Sequence, residues 1–371
     1  MNILFYTVAN KRSRDIESQA VEFAKERHGI FLFTQSPSSE LHDFFESKGF
    51  FSASSAPSKR IFPIFLVQEI FKLVRFCKRH KIAIVHSHLD PCNLVAVCCQ
   101  YFTNTKIIVN RHHADALVYE ASKRTQLISR WIYKKAQQIV VVSANVKRYM
   151  VETEKINPRK ITVVPLSFDF NLYSIPIEEQ IEELRERYDA DILLCTVGRL
   201  TGLKRIDSGI RLAHQLSKLG LDVKLLILGQ GQGAGELEKL VEELEIFDRV
   251  FFLGFINEVL PYIAISDYYI HLSITEASCT TVKEAGLVGT PVIVCNNVGD
   301  FNEYLINEKN GFLVNKVNPV EDAVNIITKT YQDRKLLSEI GSRLKSTILR
   351  QFDIKNVMPL YHSLHQKVLK D

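Results

Sequence analysis

The sequence predicts an α/β protein built from two doubly wound, Rossmann-like domains, and three observations carry that expectation. At 371 residues and 42.5 kDa the chain is long for one core, and length suggests two domains of roughly 150–200 residues. Short runs rich in β-branched and apolar residues alternate with helix-length amphipathic segments along the whole chain. Those runs are continuously apolar, the pattern of parallel strands buried on both faces.

Taken in order, the strand candidates of the first half are Asn2–Val8, Ile30–Thr34, Ile82–His86, Lys106–Asn110, Gln138–Val142 and Ile161–Val164. Those of the second half are Ile192–Val197, Val223–Leu228, Val250–Leu253, Tyr268–Leu272, Val292–Val294 and Gly311–Val314. Two such series, each interleaved with helices, give two parallel sheets. Asp169–Glu183 is polar, contains Pro176 and reads as the link between them. The expected division is 1–168 for the N-terminal domain, 169–186 for the linker, 187–350 for the C-terminal domain and 351–371 for a C-terminal helix. Packing of that helix back on the N-terminal domain is one option.

Composition narrows the class. With 46% hydrophobic and 24% charged residues, the chain is ordinary globular material. Seven cysteines (77, 92, 98, 99, 195, 279 and 295) are an odd number with no CxxC pair. That argues against a disulfide framework and a zinc site, and fits a reducing cytosol. The apolar run Ile61–Val67 falls far short of the roughly 20 residues that cross a bilayer. Met1–Val8 lacks a basic n-region and a cleavage site, and reads as a first buried strand. Residues 1–170 carry 25 Lys and Arg against 14 Asp and Glu, a net of +11, while the remainder carries 22 against 28, a net of −6. The basic half suggests an anionic partner there, with a solvated surface as the alternative.

In open parallel sheets, ligands bind beyond the carboxyl ends of the strands, so the residues after each strand matter most, and the cleft between two such domains is the natural site. After Tyr268–Leu272 comes Ser273-Ile-Thr-Glu-Ala-Ser-Cys-Thr-Thr-Val-Lys-Glu-Ala-Gly286. A helix starting near Cys279 or Thr280 leaves Glu276 at its mouth and Glu284 about one turn inside. The backbone N–H groups of Cys279–Val282 would then form an anion cradle suited to a diphosphate, and Glu284 could accept from ribose hydroxyls. After Ile192–Val197 comes Val197-Gly-Arg-Leu-Thr-Gly-Leu-Lys-Arg205, which sets Arg199 and Lys204 in a glycine-punctuated loop, the usual place for phosphate-neutralising cations. Gly229-x-Gly-x-Gly also follows a strand, but no acidic residue stands about 20 positions on at the next strand tip, so a nicotinamide site is a poor reading.

Together with Gly289-Thr-Pro-Val-Ile-Val and Asn310-Gly-Phe-Leu-Val, these motifs resemble, in order from Val197 to Val314, the donor domain of the retaining GT-B glycosyltransferases of family 4. The resemblance implies the GT-B fold, with two Rossmann-like domains facing across a cleft. It implies that Glu284 binds the nucleotide ribose and Glu276 lies by the donor sugar. Arg199 and Lys204 would hold the diphosphate, the main chain near Cys279, Thr280 and Thr281 would contact phosphate, and the loop Gly254–Ile256 would border the base. The chain departs from the family with Ser278-Cys279 in place of Phe-Gly, Lys204-Arg205 in place of Lys-Gly, and Gly299-Asp300 in place of a double glycine. Those changes keep the nucleotide contacts and leave the donor sugar open.

The first half is similar to the family's acceptor domain through Val85-His-Ser-His and through Lys106–Asn110 leading into Arg111-His112-His113. The resemblance gives His112, with His113 as the alternative, the role of a cleft histidine near the sugar. In place of a glycine-rich loop after the first strand stands Ala9-Asn-Lys-Arg-Ser-Arg-Asp, where Lys11, Arg12 and Arg14 could meet an anionic acceptor or the diphosphate, or form an ordinary basic loop. The stretch Lys59–Lys81 mixes aromatic and apolar residues with seven cations, as in a segment lying on an anionic membrane. Its Ile70, Leu73, Val74 and Cys77 also follow helical spacing toward a core.

The expected activity is retaining, metal-independent transfer from a nucleoside-diphosphate sugar, a UDP-sugar ahead of GDP-mannose, to a hydroxyl of a glycan or lipid-linked acceptor in surface polysaccharide or glycolipid synthesis. No metal and no cofactor is expected. The cytoplasm, at the inner face of the membrane, is the expected location. A UDP-sugar 2-epimerase of the same fold and a non-catalytic glycan- or partner-binding subunit are the rivals. Nucleic-acid binding is the weakest option, because the basic half carries no recognised motif.

Overall fold

The computed structural model describes residues 1–9, 11–55, 62–115, 118–119 and 121–370, with only the backbone described at 62 and 63. The chain divides into Met1–Leu172 with Phe352–Asp371, and Tyr173–Gln351.

The first unit holds seven strands: β1 (Asn2–Thr7), β2 (Gly29–Thr34), β3 (Phe51–Ser54), β4 (Ile82–His88), β5 (Lys106–Arg111), β6 (Gln138–Val141) and β7 (Ile161–Val163). Their order is β3-β2-β1-β4-β5-β6-β7, and every pair is parallel. The chain winds outward from β1, returns at β4 and winds the other way, so β1 and β4 form the switch point where ligands gather in such sheets. The seventh strand, β3, is the one the sequence reading lacks. Phe-Ser-Ala-Ser offers no apolar run, because an edge strand is paired on one side only and is half exposed.

The second unit holds β8 (Ile192–Val197), β9 (Val223–Leu228), β10 (Val250–Gly254), β11 (Tyr268–His271), β12 (Val292–Cys295) and β13 (Phe312–Val314). Their order is β10-β9-β8-β11-β12-β13, again wholly parallel, with the switch point between β8 and β11.

One segment differs from its sequence reading, and a second takes the option that the sequence left open. Within the expected linker 169–186, a single 3-10 turn (Phe170–Leu172) is followed by the helix Glu178–Arg187, whose acidic first turn (Glu178, Glu179) and basic last turn (Arg185, Arg187) complement the helix dipole. The C-terminal helix Ile354–Lys370 belongs to the first unit. Phe168 pairs with Asp353 in a parallel bridge, with Phe168 N–H donating to Phe352 O at 2.8 Å and Ile354 N–H to Phe168 O at 2.9 Å. The helix then lays Ile354, Val357, Met358, Tyr361 and Leu364 into the core formed by Ile3, Phe5, Ile16, Phe23 and Ile84.

In the stretch 59–81, residues 59–61 lie outside the described residues. The rest is the helix Phe62–Arg79, with Leu73 and Cys77 in the core and Ile70 and Val74 half-buried. Its opposite side exposes Ile64, Val67 and Phe71, and Arg75 and Lys78 continue the same stripe. Among the described residues, no helix is long and apolar enough to cross a membrane.

Candidate functional site: the two switch points

The loops leaving β8 and β11 lie side by side at the second unit's switch point. After β8 the chain passes Gly198, Arg199 and Leu200, makes a turn at Gly202–Lys204 and enters the helix Ile206–Lys218. Its position depends on the glycine series after β9. Gly229 takes φ +147°, and a Cβ there would lie 1.8 Å from Gly198 O; one on Gly231 would lie 2.4 Å from Leu200 O. Three backbone bonds then zip the two loops together: Gly198 N–H to Leu228 O at 2.9 Å, Leu200 N–H to Gln230 O at 3.1 Å and Gly233 N–H to Leu200 O at 3.0 Å. These glycines therefore make room for the cation-bearing loop, where sequence alone suggested a weak cofactor signal. Arg199 is exposed on it, and Lys204 turns back over Gly198 to pair with Glu276.

Glu276 follows β11 and sits four residues before the start of the helix Thr280–Val288. Its Oε1 receives both the Lys204 ammonium and His271 Nε2, the latter at 2.7 Å. Burial by itself would raise the Glu276 carboxyl, but the bond and charge of His271 and the charge of Lys204 hold it well below the usual carboxylate range. His271 ends β11, fully buried. Burial opposes its charge, yet Cys279 and Glu276 push it up to about 9. Its Nε2 also lies 2.9 Å from Ser273 Oγ and 3.5 Å from Cys279 Sγ. Burial would raise the Cys279 thiol, but the neighbouring imidazolium outweighs that and lowers it.

Cys279 is the N-cap of the Thr280–Val288 helix, so the first N–H groups of that helix are open to an anion. Thr281 Oγ1 accepts from Tyr269 Oη at 2.6 Å, and Thr280, Thr281 and Glu284 are half-buried along the helix. Behind them, the fully buried Lys283 bonds Ser278 Oγ at 2.9 Å and Asp300 Oδ2 at 2.8 Å, and Ser278 Oγ donates to Asp300 Oδ2 at 2.6 Å. Two of the residues that depart from the family pattern, Ser278 and Asp300, thus share one hydrogen-bonded brace with Lys283. Gly299, at φ +56°, presses against Glu276, whose Cβ would lie 2.9 Å from an added Cβ. Ile256, half-buried, follows β10.

In the first unit, β4 ends at His88 and β5 runs directly into His112. His88 Nδ1 and His112 Nε2 are 2.8 Å apart with stacked rings, and burial lowers both. Asp15 brings a carboxylate within ligating reach of the pair. His113 faces elsewhere, with Nε2 3.4 Å from Asp90 Oδ2. Arg111, which sequence reading passed over, fixes this loop. It forks onto Glu154 at 2.5 and 2.9 Å and donates to His113 O at 2.9 Å and Ala114 O at 2.6 Å. It also lines a cavity of about 420 Å³ with Val118, Leu127, Arg130 and Tyr149. Arg12, read as meeting an anion or as part of an ordinary basic loop, grips Glu17 at 2.5 and 2.6 Å, because that carboxylate is wholly buried and needs a cation. Lys11 is exposed beside it.

Two groups among the described residues could hold a metal ion: Asp15, His88 and His112, and His271, Glu276 and Cys279. His271 was missed because it reads as one more residue of an apolar strand. The signal was its position as the last residue before the Glu276 loop.

Comparison with known proteins places these features. Residues 177–347 match the model for glycosyl transferases group 1, and residues 14–172 that for Glycosyltransferase Family 4. The chain is 23% identical over 309 residues to the N-acetyl-alpha-D-glucosaminyl L-malate synthase of Bacillus anthracis, covering 81% of this chain and 78% of that one. It is 22% identical over 300 residues to the UDP-Gal:alpha-D-GlcNAc-diphosphoundecaprenol alpha-1,3-galactosyltransferase of Escherichia coli, covering 78% and 76%. Among solved structures, Anabaena Alr3699/HepE in complex with UDP-glucose superposes with a TM-score of 0.83 at 19% identity, over 99% of this chain and 100% of that one. WaaG, a glycosyltransferase of lipopolysaccharide biosynthesis, gives 0.73 at 17%, over 99% of each. At these identities the likeness is one of fold.

Proposed function

The chain belongs to the family 4 glycosyltransferases of the GT-B fold, and from that premise we propose that it moves a hexose from a UDP-sugar to a hydroxyl of a glycan or lipid-linked acceptor, with retention and without a metal. The observation that carries the donor site is the convergence, at the β8/β11 switch point, of the Lys204–Glu276 pair with the open N-terminus of the Thr280–Val288 helix. The nucleoside diphosphate lies on those N–H groups, with Arg199 and Lys204 as cations and Glu284 one turn inside to take the ribose hydroxyls. Departure of the diphosphate is then stabilised electrostatically by fixed donors in place of a divalent ion. Glu276 and His112 orient the donor sugar, and the departing phosphate takes the acceptor proton on the same face.

UDP is favoured because the relative from Escherichia coli is named for a UDP-sugar donor and Alr3699/HepE was solved with UDP-glucose. A lipid-linked acceptor is favoured by that relative and by a Campylobacter jejuni relative, both named for diphospho-undecaprenol acceptors. The exposed Ile64, Val67 and Phe71, next to Arg75 and Lys78, suit contact with an anionic membrane surface.

The test is thermal stabilisation of the full chain by UDP, GDP and their sugar conjugates, with and without EDTA, alongside Glu284→Ala. A ligand of the native state raises the midpoint by mass action. Stabilisation by UDP that persists in EDTA and disappears in the variant supports the reading. No shift with any nucleotide at millimolar concentration overturns the donor site.

A further inference from the structure

We propose that His271, Glu276 and Cys279 form a binding site for a thiophilic divalent cation of the zinc class. Their ligating atoms all lie within 4.8 Å of one another. His271 Nε2 and Cys279 Sγ are 3.5 Å apart, and a tetrahedral zinc ion with bonds of about 2.05 Å to nitrogen and about 2.3 Å to sulfur sets those two atoms about 3.5 Å apart. Glu276 Oε1 is held by Lys204 and lies 2.7 Å from His271 Nε2, and the carboxylate offers one oxygen to the ion.

The donor set decides the class of ion. One thiolate, one imidazole and one carboxylate suit zinc, cobalt or cadmium, whereas magnesium and calcium take oxygen ligands only. The three side chains are also preorganised. His271 ends β11, stands edge-on to Phe301 with ring centroids 5.9 Å apart, and reaches Cys279 across a loop of seven residues that closes at the helix N-cap. Ser273 Oγ, 2.9 Å from His271 Nε2, or a water completes the fourth position. On binding, the cation replaces the proton on Nε2 and the proton on Sγ, and both leave to solvent.

The consequence for activity rests on the functional reading above. An ion that draws on Glu276 takes that carboxylate from the donor sugar, so zinc-class cations inhibit transfer and magnesium does not. The site itself is tested without any donor. Titrating the apo full-length chain with Co²⁺ should give a thiolate-to-cobalt charge-transfer band in the near ultraviolet that Zn²⁺ abolishes and Mg²⁺ leaves alone. Cys279→Ser should remove the band at an unchanged melting temperature, and His271→Gln should weaken Co²⁺ binding by roughly tenfold or more. No band in the wild type, or an undiminished band in Cys279→Ser, overturns the site. A band present together with transfer that Zn²⁺ does not inhibit keeps the site and overturns its link to the donor reading.

Discussion

Lys204 and His271 converge on one oxygen atom, Oε1 of Glu276, so a cation from the turn after β8 and one from the end of β11 fix a single buried carboxylate. The arrangement separates the two cations by consequence. His271 is buried and can act only on Glu276 and its neighbours, whereas Lys204 is partly accessible and reaches the space before the Thr280–Val288 helix.

Lys204→Ala should therefore leave Glu276 in place, still held by His271, while removing a cation from the departing diphosphate. Losing one preorganised electrostatic partner costs about 10²–10³ in kcat. Nucleoside diphosphate release with a saturating donor measures it, with the melting temperature as the control for folding. A decrease of less than about tenfold would place Lys204 outside the leaving-group environment.

Gly229→Ala acts on the same chemistry at a distance. At φ +147° an alanine is strained, and its Cβ would sit 1.8 Å from Gly198 O, so the loop carrying Arg199 and Lys204 must move away from β9. The expected phenotype is a folded protein whose stabilisation by UDP is lost. Gly235→Ala, where a Cβ meets nothing within 4 Å, is the matched control and should behave as wild type. Equal UDP shifts in both variants would show that loop register does not control the nucleotide site.

The sheets and the donor loops were legible because a doubly wound fold writes itself as apolar runs, and because motifs at strand ends keep their order. What stayed hidden has a common cause in pairing. β3 is an edge strand with no apolar run, and the engagement of Arg12 with Glu17 depends on a burial that no spacing displays. The glycines after β9 gave only a weak cofactor signal, and the backbone that needs their space is Gly198–Leu200, about thirty residues earlier. The brace formed by Ser278, Lys283 and Asp300 likewise stayed hidden, because Ser278 and Asp300 appeared only as separate departures from a pattern and Lys283 as one more helix residue.

That brace predicts a stability effect. Lys283 and Asp300 are 1% and 4% exposed, so removing the ammonium leaves a buried carboxylate without its cation. Lys283→Met should destabilise the second unit by about 3–5 kcal/mol, read from urea unfolding followed by a probe in that unit. The double variant Lys283→Met with Asp300→Leu should recover much of the loss, since the unpaired charge is gone. A single variant as stable as wild type would mean that the pair is dispensable.

The first unit carries a pH dependence of definite sign. His365, on the C-terminal helix, lies 2.8 Å from His86 on β4 and stacks on Phe23. Burial, reinforced by the nearby His28 and His362, lowers His365 to about 4, and burial also pushes His86 well below its usual value. As pH falls through about 6.5, the unfolded chain takes up these protons and the folded unit does not, so stability declines until about pH 4. Above pH 6.5 neither state is protonated there and the pair contributes no slope. His365 alone accounts for about 3 kcal/mol across that window. Melting temperatures of the full chain between pH 7.5 and pH 4.5 should fall, and should fall less steeply in His365→Gln, which has nothing to protonate. Identical slopes in wild type and variant would mean that His365 titrates alike in the folded and unfolded chain, and that the helix is not docked through a neutral imidazole.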